Sequence, residues 1–486
     1  MTSPAHQSHS ALQEYRLLRE SVETSVLPLA TSVDGRRFVF QASLHGLALE
    51  VGGYVALVTE EETRLGQVLS LEMTRISMSR PDGAGDILIR AAQGLGVVLD
   101  GRTAPFHDAQ VRPATSEDVQ AWLARERPRS AALDVGELAL APGVPFALDG
   151  AGFGRHTLLC GQSGSGKTYS LGVLLERLLM ETSVRVLVLD PNSDYVGLSE
   201  ARTGADPAAA ERYAESAGRI VVRSGTSGES RLGLHFRDLE GAQQAALLRL
   251  DPVADRDEYA ELTAIAEDAN PASFEDLDSG GDEARRLARR ARNLGVHEFG
   301  LWSREDDASV LTDLADPDIR CLVADLGSLD SPAERSLAAG AILDQLWSRR
   351  ADREPMVIVI DEAHNVCPAH PSDPLDVLTT ETVIQIAGEG RKFGLYLVLV
   401  TQRPQKVHEN VLSQCDNLVL MRMNSAADLA HLAELFSFVP AGLIDRATTL
   451  RQGEAVVAGK IASHPALIRF GARISNEGGV DVSGWA

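Results

Sequence analysis

The stretch Gly161–Thr168, GQSGSGKT, fits the pattern GxxxxGK[ST]. It sits between an apolar run, His156–Gly161, and a segment with leucines at helical spacing, Thr168–Thr182. That placement, between a strand and a helix, is the context in which the pattern has physical meaning. The glycines let backbone N–H groups turn toward an anion, and the helix N-terminus adds positive potential. The loop predicts that Gly161, Ser163, Gly164, Ser165, Gly166, Lys167, Thr168 and Tyr169 line a nucleotide-phosphate site. Lys167 is expected on the β- and γ-phosphates, and the Thr168 hydroxyl on Mg²⁺. A glycine-rich turn with no ligand is the bland alternative.

The pattern around the loop agrees. Short, continuously apolar runs end in polar or acidic residues at Val184–Asp190, Arg320–Leu326, Met356–Glu362, Leu395–Gln402 and Asn417–Met423. Runs of this kind suit strands buried on both faces of a parallel sheet. Helical stretches such as Ala333–Arg350 separate them, so the fold class expected is α/β with a parallel-rich central sheet. Residues 237–312 interrupt the alternation and read as a charged helical insertion. Its Arg285, Arg286, Arg289, Arg290 and Arg292 share one helix face. That face contacts DNA phosphates or an acidic partner, or it is solvated and balanced by Asp282 and Glu283; the second reading is preferred.

Three further elements carry chemistry. In MVIVIDEAHN a strand delivers Asp361 to the metal side of the site and sets Glu362 beside it as general base for an attacking water. Gln402 ends the run Leu395–Gln402, where a polar side chain meets a γ-phosphate or water. Arg391 and Lys392 lie on the loop entering that strand, and Arg391 is the candidate for a finger reaching a neighbouring subunit's site, with Arg422 and Arg155 as rivals. Asp190 and Asp194 flank a turn at a strand C-terminus, where α/β sheets bind ligands; turn and capping chemistry explains them equally well.

Ahead of this region, short apolar stretches at 37–42, 47–58, 64–73, 86–91 and 94–100 are separated by Gly, Asp and Glu. They predict a small β-barrel over 28–115, after an N-terminal extension, 1–27. A charged connector, 116–138, leads to the ATPase domain at 139–470, and 471–486 form a C-terminal segment. The net charge of −23 excludes a surface that coats nucleic acid non-specifically, so any contact with DNA must be confined to a local basic strip. The four cysteines form no CxxC pair, and neither a signal peptide nor a membrane-spanning run is present, so a cytoplasmic protein with no membrane partner is expected.

The order of motifs, with EGRKFGLYLVLVTQRP (389–404) followed by VLSQCDNLVLMRM (411–423), resembles the HerA branch of the HerA/FtsK superfamily. The strands in GEAVVAGKIASHPALIRF (453–470) and the N-terminal barrel are similar to the same family. The resemblance implies ATP with Mg²⁺ on Lys167, Thr168 and Asp361, Glu362 as base, Gln402 as sensor and Arg391 as finger in trans. It also implies a RecA-like motor in a hexameric ring pumping duplex DNA, working beside a nuclease of the NurA type or a defence effector, nuclease or sirtuin-like. The C-terminal segment is implied to brace a neighbour. Two other readings stand beside this one. In the first, the ring is a scaffold that assembles an effector without obligatory DNA movement. In the second, it is a protein-remodelling ATPase, which the scarcity of aromatic residues disfavours.

Overall fold

The computed structural model describes residues 16–17 and 28–478, apart from 45–46, 80–85, 102–103, 129, 268–279 and 304–308. Most of the N-terminal extension and the last eight residues of the C-terminal segment lie outside the described residues.

The first unit is a closed barrel of β1 (Leu29–Ser32), β2 (Arg37–Ser43), β3 (Tyr54–Val58), β4 (Thr63–Ser79), β5 (Asp86–Val98) and β6 (Phe106–Pro113), in the order β1-β2-β5-β4-β3-β6. Strict alternation along β2 buries Phe38, Phe40 and Ala42 against Val55, Leu57, Val68 and Val111. The stretches 86–91 and 94–100, read as separate from the sequence, largely form one continuous strand, β5. The glycines at the start of the second stretch, Gly94 and Gly96, do not break the strand. A Cβ on Gly94 would lie 2.2 Å from the Phe40 ring, and one on Gly96 2.1 Å from Phe38. Both glycines are slots that receive rings from β2, which pairs with β5.

The second unit is an 11-stranded sheet. Its strands are β7 (Ala132–Leu138), β8 (Pro145–Asp149), β9 (His156–Cys160), β10 (Arg185–Asp190), β11 (Ile220–Arg223), β12 (Cys321–Asp325), β13 (Met356–Ile360), β14 (Leu395–Thr401), β15 (Cys415–Met421), β16 (Glu454–Ala458) and β17 (Ala466–Phe470). The order is β11-β12-β10-β13-β14-β9-β15-β16-β17-β7-β8, parallel from β11 to β15 and antiparallel beyond. The expected parallel-rich sheet is therefore the seven-strand part of a mixed one. The connector expected over 116–138 is a helix, α1 (Ser116–Arg125), followed by sheet strand β7, so the sheet begins earlier than expected.

Alternate residues of the central strands feed two cores. Val186, Val188, Val357 and Val359 face α2 (Lys167–Glu181) and its neighbours. Leu187, Leu189, Ile358 and Ile360 face the other side. This is why the runs are apolar without alternation. On that other side the sheet shares one core with the helical region, α4 (Gly241–Leu247), α5 (Arg256–Glu267), α6 (Asp282–Leu294) and α7 (Val310–Ala315), and with α8 (Pro332–Ser348) and α9 (Pro374–Glu389). A further helix, α3 (Pro207–Ala217), lies on the α2 side. The arginine face of α6 is turned partly onto acids: Arg290 reaches Asp255 at 3.0 Å, Arg286 reaches Glu258 at 3.8 Å and Arg285 reaches Asp282 at 2.6 Å. The face is balanced by acids as preferred, but Glu258 belongs to α5 and Asp255 immediately precedes it, and of the expected pair only Asp282 takes part in these contacts.

Barrel and sheet meet at a buried histidine. His464 Nε2 lies 2.8 Å from the Tyr54 hydroxyl of β3, and the Trp122 and Phe146 rings stand edge-on to the imidazole. Gln67 of β4 donates to the Pro465 carbonyl at 3.0 Å.

Candidate functional site

A cavity of about 810 Å³ opens at the C-terminal ends of the central strands. The loop after β9 forms one wall with Ser163, Gly164, Gly166, Lys167, Thr168 and Tyr169. The loop turns into α2 at Gly166, whose φ of 97° is a left-handed conformation that favours glycine. A Cβ on Gly161 would meet Met421 and Ser165 at 2.8 Å, so this position also requires a bare backbone. Gly161 and Ser165 lie behind the wall and shape it; Ser165 is fully buried.

Lys167 Nζ donates to the Gln162 carbonyl at 3.2 Å, so its ammonium is folded over the loop. Burial lowers its pKa, and the carboxylates of Glu362 and Asp361 oppose that shift. The Thr168 hydroxyl donates to Asp194 Oδ2 at 3.3 Å. Across the cavity stand Asp361 and Glu362 at the end of β13 and Gln402 at the end of β14. Asp361 is 4% exposed, and burial pushes its carboxyl up to about 8, with the charges of Glu362, Asp190 and Asp194 adding. Glu362 is also raised by burial, against the pull of Lys167 and Arg403. Its φ of 44° is left-handed, a strain of about 1–3 kcal/mol for a residue with a side chain. Strain of this kind persists where surrounding structure overdetermines the residue.

The two turn aspartates divide. Asp190 is fully buried and accepts backbone N–H from Tyr195 at 2.8 Å, Asp194 at 3.0 Å and Asn192 at 3.3 Å. Its carboxylate is spent on the turn. Asp194 faces the cavity beside Thr168.

The site suits a hard divalent cation only in part. Among the described residues no cluster of three or more His, Cys, Asp or Glu makes a metal cage. Among the oxygens that line the cavity are the Thr168 hydroxyl and the carboxylates of Asp361 and Asp194. Mg²⁺ is commonly held by such an incomplete oxygen shell, completed by water and substrate phosphate.

The rival arginines separate cleanly. Arg422 donates to the Gly164 carbonyl at 3.1 Å and so belongs to its own chain's loop. Arg391 and Arg155 lie at the opposite end of the sheet, just before β14 and β9 begin, and both reach Asp416, at 3.0 and 3.3 Å. A seven-residue strand such as β14 spans roughly 20 Å, so neither guanidinium reaches the cavity of its own chain.

Sequence reasoning missed one wall. Gln452, Gly453 and residues 469–472 with Glu477 close the cavity from the antiparallel side. Of the segment 471–486 implied to brace a neighbour, residues 471–478 are described, and they pack on their own chain. Glu176 of α2, fully buried, accepts the N–H groups of Ile474 and Ser475 at 2.9 and 2.6 Å and the Ser475 hydroxyl at 2.7 Å. Arg473, 1% exposed, accompanies it, with its Nη1 3.4 Å from the Thr168 carbonyl. No motif marks this segment; the only sequence signal is a charged pair, Arg473 and Glu477, following an apolar strand.

Residues 133–290 match the family described as "Helicase HerA, central domain". The DNA double-strand break repair helicase HerA of Pyrococcus furiosus is 24% identical over 70% of this chain and 69% of its own. That of Sulfurisphaera tokodaii is 32% identical over 30% of this chain and 31% of its own. Among solved structures, VirB4 of Thermoanaerobacter pseudethanolicus aligns over 71% of this chain and 97% of its own, with a TM-score of 0.49 at 16% identity. The family match over 133–290 and these HerA relatives support a HerA-type ATPase of the HerA/FtsK superfamily.

Proposed function

We propose that this chain is an ATP-hydrolysing motor that moves duplex DNA, working as a ring of identical subunits. The observation that carries the reading is the convergence of Lys167, Thr168, Asp361, Glu362 and Gln402 on one cavity. In this reading the unit is a RecA-like P-loop motor. Backbone N–H groups of 161–168 and Lys167 bind the ATP phosphates, and Tyr169 packs at the same wall. Thr168 and Asp361 would hold Mg²⁺, which would supply positive charge to offset the negative charge that develops on the transferred phosphate. Glu362 takes the proton of the attacking water, and Gln402 orients both.

The position of Arg391 and Arg155 supports an oligomer. Placed a sheet's length from their own cavity, they serve a nucleotide only on a second copy, as fingers in trans. A hexamer is the count the family resemblance implies. The acidic chain supports DNA held by a restricted basic lining rather than by the whole surface. The names of the relatives, helicases of double-strand break repair, fit a DNA substrate; a nuclease partner of the NurA type or another effector is what the family resemblance implies.

A second reading, the ring as a scaffold for an effector, is favoured by the long β4–β5 ribbon, on which Met73 and Leu88 are 66% and 72% exposed.

The test is steady-state ATP hydrolysis by the purified full chain with and without linear duplex DNA, with Glu362→Gln as the blank. Stimulation that fades with salt supports the motor. A rate indifferent to DNA refutes coupling to DNA and shifts the reading to the scaffold.

A further inference from the structure

The Glu362 carboxylate is bracketed. Its Oε1 accepts a hydrogen bond from Gln402 Nε2 at 3.2 Å. Its Oε2 is buried, and no protein donor completes a hydrogen bond to it. The group beside Oε2 is the imidazole of His364, with Nδ1 at 3.2 Å. That imidazole is itself fixed: Nδ1 also lies 3.1 Å from Thr401 Oγ1, and Thr401 Oγ1 accepts the Arg403 N–H at 3.0 Å. Thr401 is fully buried at the end of β14.

Both flanks of the carboxylate therefore trace to one place, Gln402 directly and Thr401 through His364. The main chain repeats the connection. Pro368 and Val407 form an antiparallel bridge, Ala369 N–H donates to the Lys406 carbonyl at 2.8 Å, and His408 N–H donates to the Cys367 carbonyl at 3.0 Å. The segment after Glu362 and the loop after Gln402 are thus pinned together. Burial and the nearby Arg403, Lys406 and Lys167 disfavour the charged imidazole, so His364 stands as a neutral group beside the acid.

We propose that His364 is a positioning residue for Glu362, holding the carboxylate in the orientation from which it takes the proton of the attacking water. The inference rests on the hydrolysis reading above. In the step concerned, a water O–H bond breaks and its proton passes to Glu362. The water oxygen bonds to the γ-phosphorus as the bond to the β-phosphate oxygen breaks, and the proton returns to solvent with product release. His364 neither gains nor loses a proton across the cycle.

The experiment is steady-state ATP hydrolysis by full-length wild type, His364→Ala, His364→Asn, Glu362→Gln and the double variant His364→Ala/Glu362→Gln, with binding of a fluorescent ATP analogue measured alongside. An Asn amide reaches about where Nδ1 lies. The expected result is a fall in kcat of about ten- to a hundredfold for His364→Ala, KM and analogue affinity within about twofold, and recovery of most of the rate in His364→Asn. On the Glu362→Gln background, His364→Ala adds less than about a twofold loss, because its effect passes through Glu362. The proposal is overturned if His364→Ala keeps kcat within twofold, if Asn fails to rescue, or if the losses multiply in the double variant. Undiminished hydrolysis by Glu362→Gln is a different outcome, which removes the base reading itself and the proposal with it.

Discussion

Glu176→Gln is the sharpest probe of how the C-terminal segment is held. The wild-type carboxylate accepts two backbone N–H groups and one hydroxyl, with no solvent access, and it is the buried counter-charge to Arg473, whose Nε lies 3.9 Å away. A carboxamide keeps one acceptor oxygen and presents an NH₂ to donors. Leaving a buried donor unmet costs about 1–3 kcal/mol, and removing one charge of a buried pair costs about 3–5 kcal/mol. These describe one cluster and do not add, so the expected loss is about 3–5 kcal/mol. Hydrogen exchange reads it locally: the amides of Ile474 and Ser475 should exchange at least about a hundredfold faster. ATP-analogue affinity should fall too, because 469–472 and Glu477 line the cavity. A double replacement, Glu176→Leu with Arg473→Met, should recover much of the stability, because no buried charge remains. Unchanged exchange at Ile474 and Ser475 in Glu176→Gln would refute the seating of this segment on its own chain.

Further outcomes are open to test. Lys167→Ala should abolish binding of an ATP analogue, whereas Glu362→Gln should bind it while hydrolysis falls by about 10²-fold or more, read by equilibrium fluorescence and phosphate release. Gly94→Ala places a methyl 2.2 Å from the Phe40 ring and should destabilise the barrel by about 1–3 kcal/mol, seen as a lower Tm. Asp361 titrates in the fold at about 8, above the ordinary value of 3.8, so its contribution to stability is present in acid and lost as pH rises through that range. Asp361→Asn should therefore raise the Tm of the nucleotide-free chain at pH 8 more than at pH 5. His464 shows the opposite sign: burial lowers its pKa to about 4, so its contribution is full above 6.5 and lost as pH falls toward 4. Proteolysis between barrel and sheet should accelerate on acidification, and Tyr54→Phe should shift that onset to higher pH.

Much of the site was legible because each part sits in a local pattern. The loop 161–168 and the pair Asp361–Glu362 follow continuous apolar runs, and two-sided burial of the sheet produces those runs. Gln402 followed from the same rule. The wall formed by Gln452, Gly453 and residues 469–477 was not legible, because an antiparallel return brings it there across most of the domain and no spacing records that. Asp190 and Asp194 look alike in sequence; only the amides of Asn192, Asp194 and Tyr195 decide that the first is structural. The glycines of β5 misled for a related reason: a residue that separates strands locally serves here to admit rings from a strand far away in sequence. His364 was passed over because a histidine next to an acid carries no information until Thr401 is seen behind it.

The pairing of β7 with β17 has a consequence during synthesis. Leu138 is registered with Ile468, about 330 residues downstream. At roughly 5–20 residues per second, the ribosome needs tens of seconds to deliver the partner. The same wait applies to β9, whose neighbours β14 and β15 also come late. The barrel is complete early, but the β7–β8 hairpin must stand beside it with one edge open, and open edges invite pairing between nascent chains. The β7 edge thus stays exposed until β17 emerges, and a slower pace of translation between β8 and β17 lengthens that exposure.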